Sequence, residues 1–298
     1  MLDRLLTEQR NPASEGIDER PTEQILRIMN DEDRKVAEAV GREIPHIARA
    51  VDAIVERLER GGRLFYIGAG SSGRLGVLDA SECPPTYNVP PETVQAIIAG
   101  GSRALEHSSE ASEDDPALGA RDLEARGFTK DDVLVGIAAS GRTPYVLGAV
   151  AHARALGALT AGISCTPGSE LSRAVDIAIE PLPGPEIVAG STRMKAGTAT
   201  KLVLNMLSTA VMIRLGHVCS NLMVNVKPAN VKLRERAARI IAEAASVDRE
   251  RALALLDEAG GTVKVAIVMA RLSVTREAAV ERLEAARGRV SAALKTGA

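Results

Sequence analysis

Residues 64–80 read Leu-Phe-Tyr-Ile-Gly-Ala-Gly-Ser-Ser-Gly-Arg-Leu-Gly-Val-Leu-Asp-Ala. The run Leu64–Ile67 is continuously apolar and short, which predicts a strand buried on both faces. A turn rich in glycine and serine follows, and an amphipathic stretch over Gly73–Asp79 predicts a helix. The same unit recurs downstream. Apolar runs appear at Val94–Ile98, Val133–Ala138, Leu159–Ile163 and Val175–Ile179, and amphipathic stretches at Leu105–Ala111, Ala117–Ala125 and Tyr145–Leu156. Buried strands alternating with helices predict an α/β fold: a doubly wound, five-stranded parallel sheet of flavodoxin type, joined by right-handed crossovers.

The flanks differ. Residues 1–20 are polar and turn-rich, an arm that must lie against something. From Thr22 to about Arg60 the period is helical, with Asp31 as a candidate N-cap, Pro45 as a break and Gly61-Gly62 as the stop. Met194–Leu215 reads as one long apolar helix, buried in the domain or in a subunit interface. Val231–Ala245, Asp248–Glu258, Val263–Met269 and Thr275–Leu294, the last broken near Gly288, predict a small helical domain. The expected division is residues 1–53 (arm and N-terminal helices), 54–217 (the sheet domain) and 218–298 (linker and C-terminal helical domain).

Composition excludes several functions. Among 298 residues, 37 basic and 39 acidic side chains leave a net charge of −2, and there are two Phe, three Tyr and no Trp. A nucleic-acid partner, which calls for basic excess or stacking rings, is not expected. Cys83, Cys165 and Cys219 form neither a disulfide framework nor a metal spacing and read as buried small hydrophobes. The four histidines are scattered and read as ordinary surface or core residues. The opening stretch MLDRLLTEQRNP lacks an apolar signal core. The uncharged run Leu202–Ile213 is shorter than the ~20 residues of a membrane span. The expectation is a cytoplasmic protein with no membrane partner.

In an open parallel sheet, ligands bind beyond the carboxyl ends of the strands, where the strand order reverses. Two loops there carry unusual residues. Gly68-Ala69-Gly70-Ser71-Ser72-Gly73-Arg74 offers glycines, hydroxyls and a helix start, the makings of an anion site. Its likeness to a dinucleotide turn lacks the acid that should end the next strand, since Ile97-Ile98-Ala99-Gly100-Gly101 has none. Ala139-Ser140-Gly141-Arg142-Thr143-Pro144 is the second loop, with Thr143 at an N-cap and Pro144 at the first helical position. Two such loops on one crevice fit a phosphomonoester on a small polar molecule; the alternative is a pair of ordinary capped turns.

The two loops together resemble the SIS domain, whose serine-rich loops hold the phosphate of phosphosugars. Longer segments narrow this. GAGSSGRLGVLDASECPPTY (68–87), GIAASGRTPYV (136–146), GISCTPGS (162–169), PEIVAGSTRMKAGTATKLVLNMLST (185–209) and SNLMVNVK (220–227) resemble the N-acetylmuramic acid 6-phosphate etherase family. So do Thr7-Glu8, Asn11, Ile17-Asp18 and Asn30-Asp31-Glu32-Asp33, so the likeness spans nearly the whole chain. The resemblance implies an SIS fold with a C-terminal helical domain, a homodimer, and a lyase that removes the D-lactyl ether of a phosphorylated amino sugar without metal or redox cofactor. Gly70, Ser71, Ser72, Ser140, Arg142 and Thr143 would bind the phosphate. Glu82 and Glu113 match the family's acid/base positions, with Glu82 expected to protonate departing lactate and Glu113 to be the second acid/base. Glu82 sits just before the paired Pro84-Pro85, expected to stop the helix and hold the carboxylate in a rigid turn. Ser191, Thr192, Arg193 and Lys195, at the start of the long apolar helix, are candidate contacts for phosphate or lactyl carboxylate, or else caps and interface pairs. Were the helix after Ser72 continuous, Glu82 would lie ~15 Å along it from the phosphate loop. Either that helix is short and the chain folds back, or, as is expected here, Glu82 completes a neighbouring subunit's site. Against the usual pattern of the family, Ser71 replaces a common threonine and Asn225 a frequent aspartate. A phosphosugar aldose–ketose isomerase and a non-catalytic sugar-phosphate regulator are the rival readings.

Overall fold

The computed structural model describes residues 6–107 and 112–295. The expected five-stranded parallel sheet is present, with β1 Leu64–Gly68, β2 Val94–Ile98, β3 Val133–Ile137, β4 Leu159–Ile163 and β5 Ile177–Ile179 in the order β2-β1-β3-β4-β5. Every residue of β1 and β3 is buried, as their unbroken apolar runs require. The strand order reverses between β1 and β3. Gly68 pairs with Ile98 on one side and Ile137 on the other, so the two glycine- and serine-rich loops leave adjacent strand ends.

Both faces are covered. Phe65, Ile67 and Leu134 pack on one face with Leu123 of α4 (Pro116–Ala125), Tyr145, Val146 and Ala149 of α5 (Pro144–Ala155), and Leu171 of α6 (Glu170–Ala174). On the other face, Tyr66 donates to Asp79 of α3 (Gly70–Tyr87) at 3.0 Å. Asp79 also accepts from Asn205 at 2.6 Å and Ser208 at 3.1 Å, both on α7 (Lys195–Arg214), so one buried carboxylate ties β1, α3 and α7 together. Burial pushes its pKa up, and the three donors oppose that rise.

The N-terminal helical region is two helices, α1 Thr22–Arg42 and α2 Ile44–Glu59, with Pro45 in the first turn of α2, the break expected there. Several expectations need correction. Asp31 is inside α1, whose N-cap is Pro21, because Pro21-Thr22 already supplies a helix start nine residues earlier. Pro84 and Pro85 sit inside α3 and do not stop it: the helix runs on to Tyr87, and Asn88 ends it in the left-handed conformation with its N–H on the Pro84 carbonyl at 2.9 Å. The amphipathic stretch at Leu105–Ala111 contributes only the end of a 3-10 turn, Gly101–Leu105, and residues 108–111 lie outside the described residues. By length and composition, α7 (20 residues, hydropathy 1.3) reaches what a bilayer crossing needs, beyond the shorter run read from the sequence. Its Lys201, its bonds to Asp79 and a window 56% buried inside the protein make it a core helix.

The chain divides into two compact units, Met1–Ser81 with Pro91–Ser208, and Glu82–Pro90 with Thr209–Ala298. The second contains α8 Val231–Ala245, α9 Arg249–Glu258, α10 Val263–Leu272, α11 Arg276–Ala285 and α12 Val290–Ala293, close to the predicted spans. Their starts are set by Asn230, Asp248 and Thr275, each accepting from the backbone N–H three residues on. Apolar faces at Ile240, Ile241, Leu255, Leu256, Ala266 and Ile267 close the core.

Candidate active site

The first loop is built for close approach. Gly70 has φ +51, and a Cβ placed there would meet Glu113 Oε1 at 3.3 Å. Glycine is therefore favoured by its left-handed backbone, and a Cβ there would crowd the carboxylate above it. This brings Glu113 to the first turn of α3, next to Ser71 and Ser72. The Tyr145 N–H on the Glu113 carbonyl, at 3.0 Å, fastens that residue to the first turn of α5 as well. Ser71 and Ser72 are half-buried, and their hydroxyls have no hydrogen-bond partner among the described residues. The N–H groups of the first turn of α3 point the same way, as at any helix start.

The second loop turns at Gly141, with φ +67, where a Cβ would collide with Ser169. Ser140, Arg142 and Thr143 are all half-buried. Thr143 occupies the N-cap of α5 with Pro144 after it, but its hydroxyl makes no cap bond, a departure from the expected cap. Its φ of −57 differs from the usual extended N-cap geometry. Arg142 Nε donates to Glu170 Oε1 at 3.0 Å in a half-exposed pair, the kind that contributes little and exchanges readily. Among the acidic residues around Glu113, Asp115 is spent as the N-cap of α4, accepting from Ala117 and Leu118; Glu110 lies outside the described residues.

The approach to α7 separates residues that the sequence had grouped. Lys195 is 1% exposed, and its Nζ donates to Glu32 Oε2 at 2.6 Å and to the Pro185 carbonyl at 3.1 Å. Asn11 donates to the same two acceptors, at 3.0 Å and 3.1 Å, and Lys35 pairs with the other oxygen of Glu32. Burial pushes the Glu32 carboxyl up, but bonds from Lys195, Lys35 and Asn11 outweigh it and hold the pKa at about 2. Lys195 is thus engaged in the core. Glu186, also buried, accepts from the N–H groups of Lys195 and Ala196 at 2.9 Å each and caps α7. The expected arm is here too: Thr7 accepts from the Gly190 N–H at 3.2 Å, and Ser14 donates to Ile187 at 2.8 Å.

Between these fastenings lie Ser191, Thr192 and Arg193. Arg193 lines a cleft of about 370 Å³ with Ser71, Arg74, Leu75, Gly197, Thr198 and Lys201. Arg74 is anchored by its Nε to the carbonyls of Ala104 and Leu105 at 3.0 Å and 3.1 Å. Lys201 was missed by a reading that took residues adjacent in sequence. Its signal was the spacing 197, 201 on one face of α7, four and eight residues on from Arg193 in the turn before it.

Glu82 is exposed on the final stretch of α3, belongs to the second unit, and makes no hydrogen bond or ion pair with any described residue. Cys83 and Cys165 are buried as expected, whereas Cys219 is only partly so. Burial, and then Glu186, push the Cys165 thiol up to about 12, which leaves it protonated and unreactive. Among the described residues, no group of three His, Cys, Asp or Glu side chains is placed to hold a metal ion.

Comparison with known proteins identifies the family. Residues 46–154 match the glucokinase regulatory protein N-terminal SIS domain, and residues 112–210 match the SIS domain. An N-acetylmuramic acid 6-phosphate etherase of Aeromonas hydrophila is 56% identical over 290 residues, covering 97% of each chain. Etherases of the same name from Photorhabdus laumondii (58% identical, 90% of this chain and 89% of that one) and a Geobacillus species (51% identical, 99% and 100%) are similarly related. With nearly the full length covered at this level of identity, the chain belongs to the N-acetylmuramic acid 6-phosphate etherase family.

Proposed function

We propose that this chain is a lyase that cleaves the D-lactyl ether at carbon 3 of N-acetylmuramic acid 6-phosphate, giving N-acetylglucosamine 6-phosphate and D-lactate in the recycling of cell-wall amino sugar in the cytoplasm. Beyond family membership, the observation that carries the reading is the Glu113 carboxylate over Gly70, at the mouth of a hydroxyl-lined helix start. An isolated ether is inert, but in the ring-opened sugar carbon 3 lies β to the aldehyde and the carbon-2 proton is acidic. A carboxylate takes that proton, the electron pair forms the C2–C3 double bond, and the C3–O bond breaks as lactate leaves with a proton from a second acid. Water then adds to carbon 3 and a proton returns to carbon 2. No step calls for a metal or redox cofactor.

In this scheme Gly70, Ser71, Ser72, Ser140, Arg142 and Thr143 hold the phosphate. Glu113 works at carbon 2 as acid/base and Glu82 protonates the departing lactate. Glu82 acts in a neighbouring subunit's site, so the working form is a homodimer with its sites near the interface. Its exposure and the absence of any bond to a described residue support this, as does its place late in the unbroken α3.

Incubating the protein with N-acetylmuramic acid 6-phosphate should release D-lactate. In deuterated water, deuterium should enter carbon 2 of the product; a ketose product without lactate would instead mean isomerisation. Mixing Glu82→Gln with Ser72→Ala subunits should restore part of the activity that each homodimer lacks. Persistent inactivity of well-folded mixed dimers would return Glu82 to its own chain's site.

A further inference from the structure

The proposed substrate carries two anions, a phosphate and the lactyl carboxylate, and the hydroxyl-lined loops account for the first. We propose that Arg193 and Lys201 form the subsite for the second, a carboxylate-binding wall that grips the lactyl group and holds it as it leaves. This assignment rests on the etherase reading.

Four observations support it. Arg193 and Lys201 line one cleft, and neither makes an ion pair or a side-chain hydrogen bond with any described residue. The acid that influences Lys201, Asp79, is buried and already accepts from Tyr66, Asn205 and Ser208. Two cations left unmatched on one wall make a standing demand for an external anion. The cleft includes Ser71, so it adjoins the phosphate loop, as two groups of one sugar require. Its remaining lining suits the rest of a lactyl group: Leu75 is apolar, Thr198 brings a hydroxyl, and Gly197 adds no side chain to the wall. Finally, Arg193 is held at a set position. The segment carrying it is fastened before by Thr7 on Gly190 and after by Glu186 on Lys195 and Ala196. A guanidinium carried on a pinned backbone and not engaged by any described residue is free to make the planar, two-point contact that recognises a carboxylate.

The test compares two ligands that differ by the lactyl group. Arg193→Met, Lys201→Met and the double variant are measured for affinity toward N-acetylmuramic acid 6-phosphate and toward N-acetylglucosamine 6-phosphate, with thermal melts confirming the fold. We expect each single variant to weaken the lactyl-bearing ligand about tenfold or more, and the double about a hundredfold. The lactyl-free ligand should change less than about threefold. Arg193→Lys should recover part of the loss. Equal loss toward both ligands would make these cations phosphate ligands, and no loss toward either would place the lactyl group elsewhere; each outcome overturns the proposal. If the wild-type protein released no lactate, the etherase reading would fall, while the ratio of the two affinities would still decide what the cleft binds.

Discussion

Glu32 and Lys195 show how one sequence neighbourhood divides between structure and chemistry. Lys195 is two residues from Arg193, yet it faces inward to a carboxylate supplied by α1. Removing one member of a buried pair strands the other, so Glu32→Gln or Lys195→Met should cost about 3–5 kcal/mol, read as a lower urea midpoint at pH 7. The pH dependence has a definite sign. The folded carboxyl titrates at about 2 against an ordinary 4.5, so its stabilisation is complete above the ordinary value. It is lost as pH falls from there through about 2, and the gap between wild type and Glu32→Gln should narrow over that range. The candidate acids were legible through the resemblance alone: by residue type, Glu113 belongs to a solvated acidic loop and Glu82 to a helix surface. Lys201 was legible in helical phase but hidden in linear order.

Among the elements, strands and capped helices were the most readable. Val94–Ile98, Leu159–Ile163 and Val231–Ala245 fall on the residues read from the sequence, because short, mainly apolar runs and Asn or Asp caps are local signals. Where tertiary context competes, local rules fail: Pro84-Pro85 continues α3, and Asp31 is a mid-helix residue. Helix starts also differ in purpose. The N-terminus of α7 is capped by Glu186 from within the core, so Glu186→Ala should destabilise by about 2 kcal/mol, leaving two buried N–H groups unmatched. At α5 the Thr143 hydroxyl makes no cap bond, and Thr143→Val should stay within about 0.5 kcal/mol in the same urea melts. It should instead raise KM for the phosphorylated substrate. A helix start left uncapped by its own side chain is available to a ligand.

For the molecule as a whole, the class of fold was legible but the strand order was not. Adjacent strands in the sequence do not declare their neighbours, and it is the order β2-β1-β3 that puts the two loops side by side. The helical unit has its own acid response. Burial, and then Lys264, push His217 down to about 4, while Asn225 donates to its Nδ1 at 3.0 Å and to the Tyr87 carbonyl at 2.6 Å. The unfolded ring takes a proton near its ordinary 6.5 and the folded ring does not, so this unit should lose stability as pH falls from 6.5 towards 4. Hydrogen exchange of α8 and α10 at pH 5 and pH 7 should register the loss, and His217→Asn should flatten it. Asn225→Asp should raise the ring's pKa by setting a carboxylate against it.

The bond from Thr7 to Gly190 has a practical corollary. Arg10, exposed, lies between that bond and the Asn11 anchor, so a tryptic nick after it would sever Thr7 from the rest of the arm and leave Asn11 in place. The sheet would be intact and the mouth of the site would hang loose on one side, a lesion that substrate binding would register long before any melting curve did.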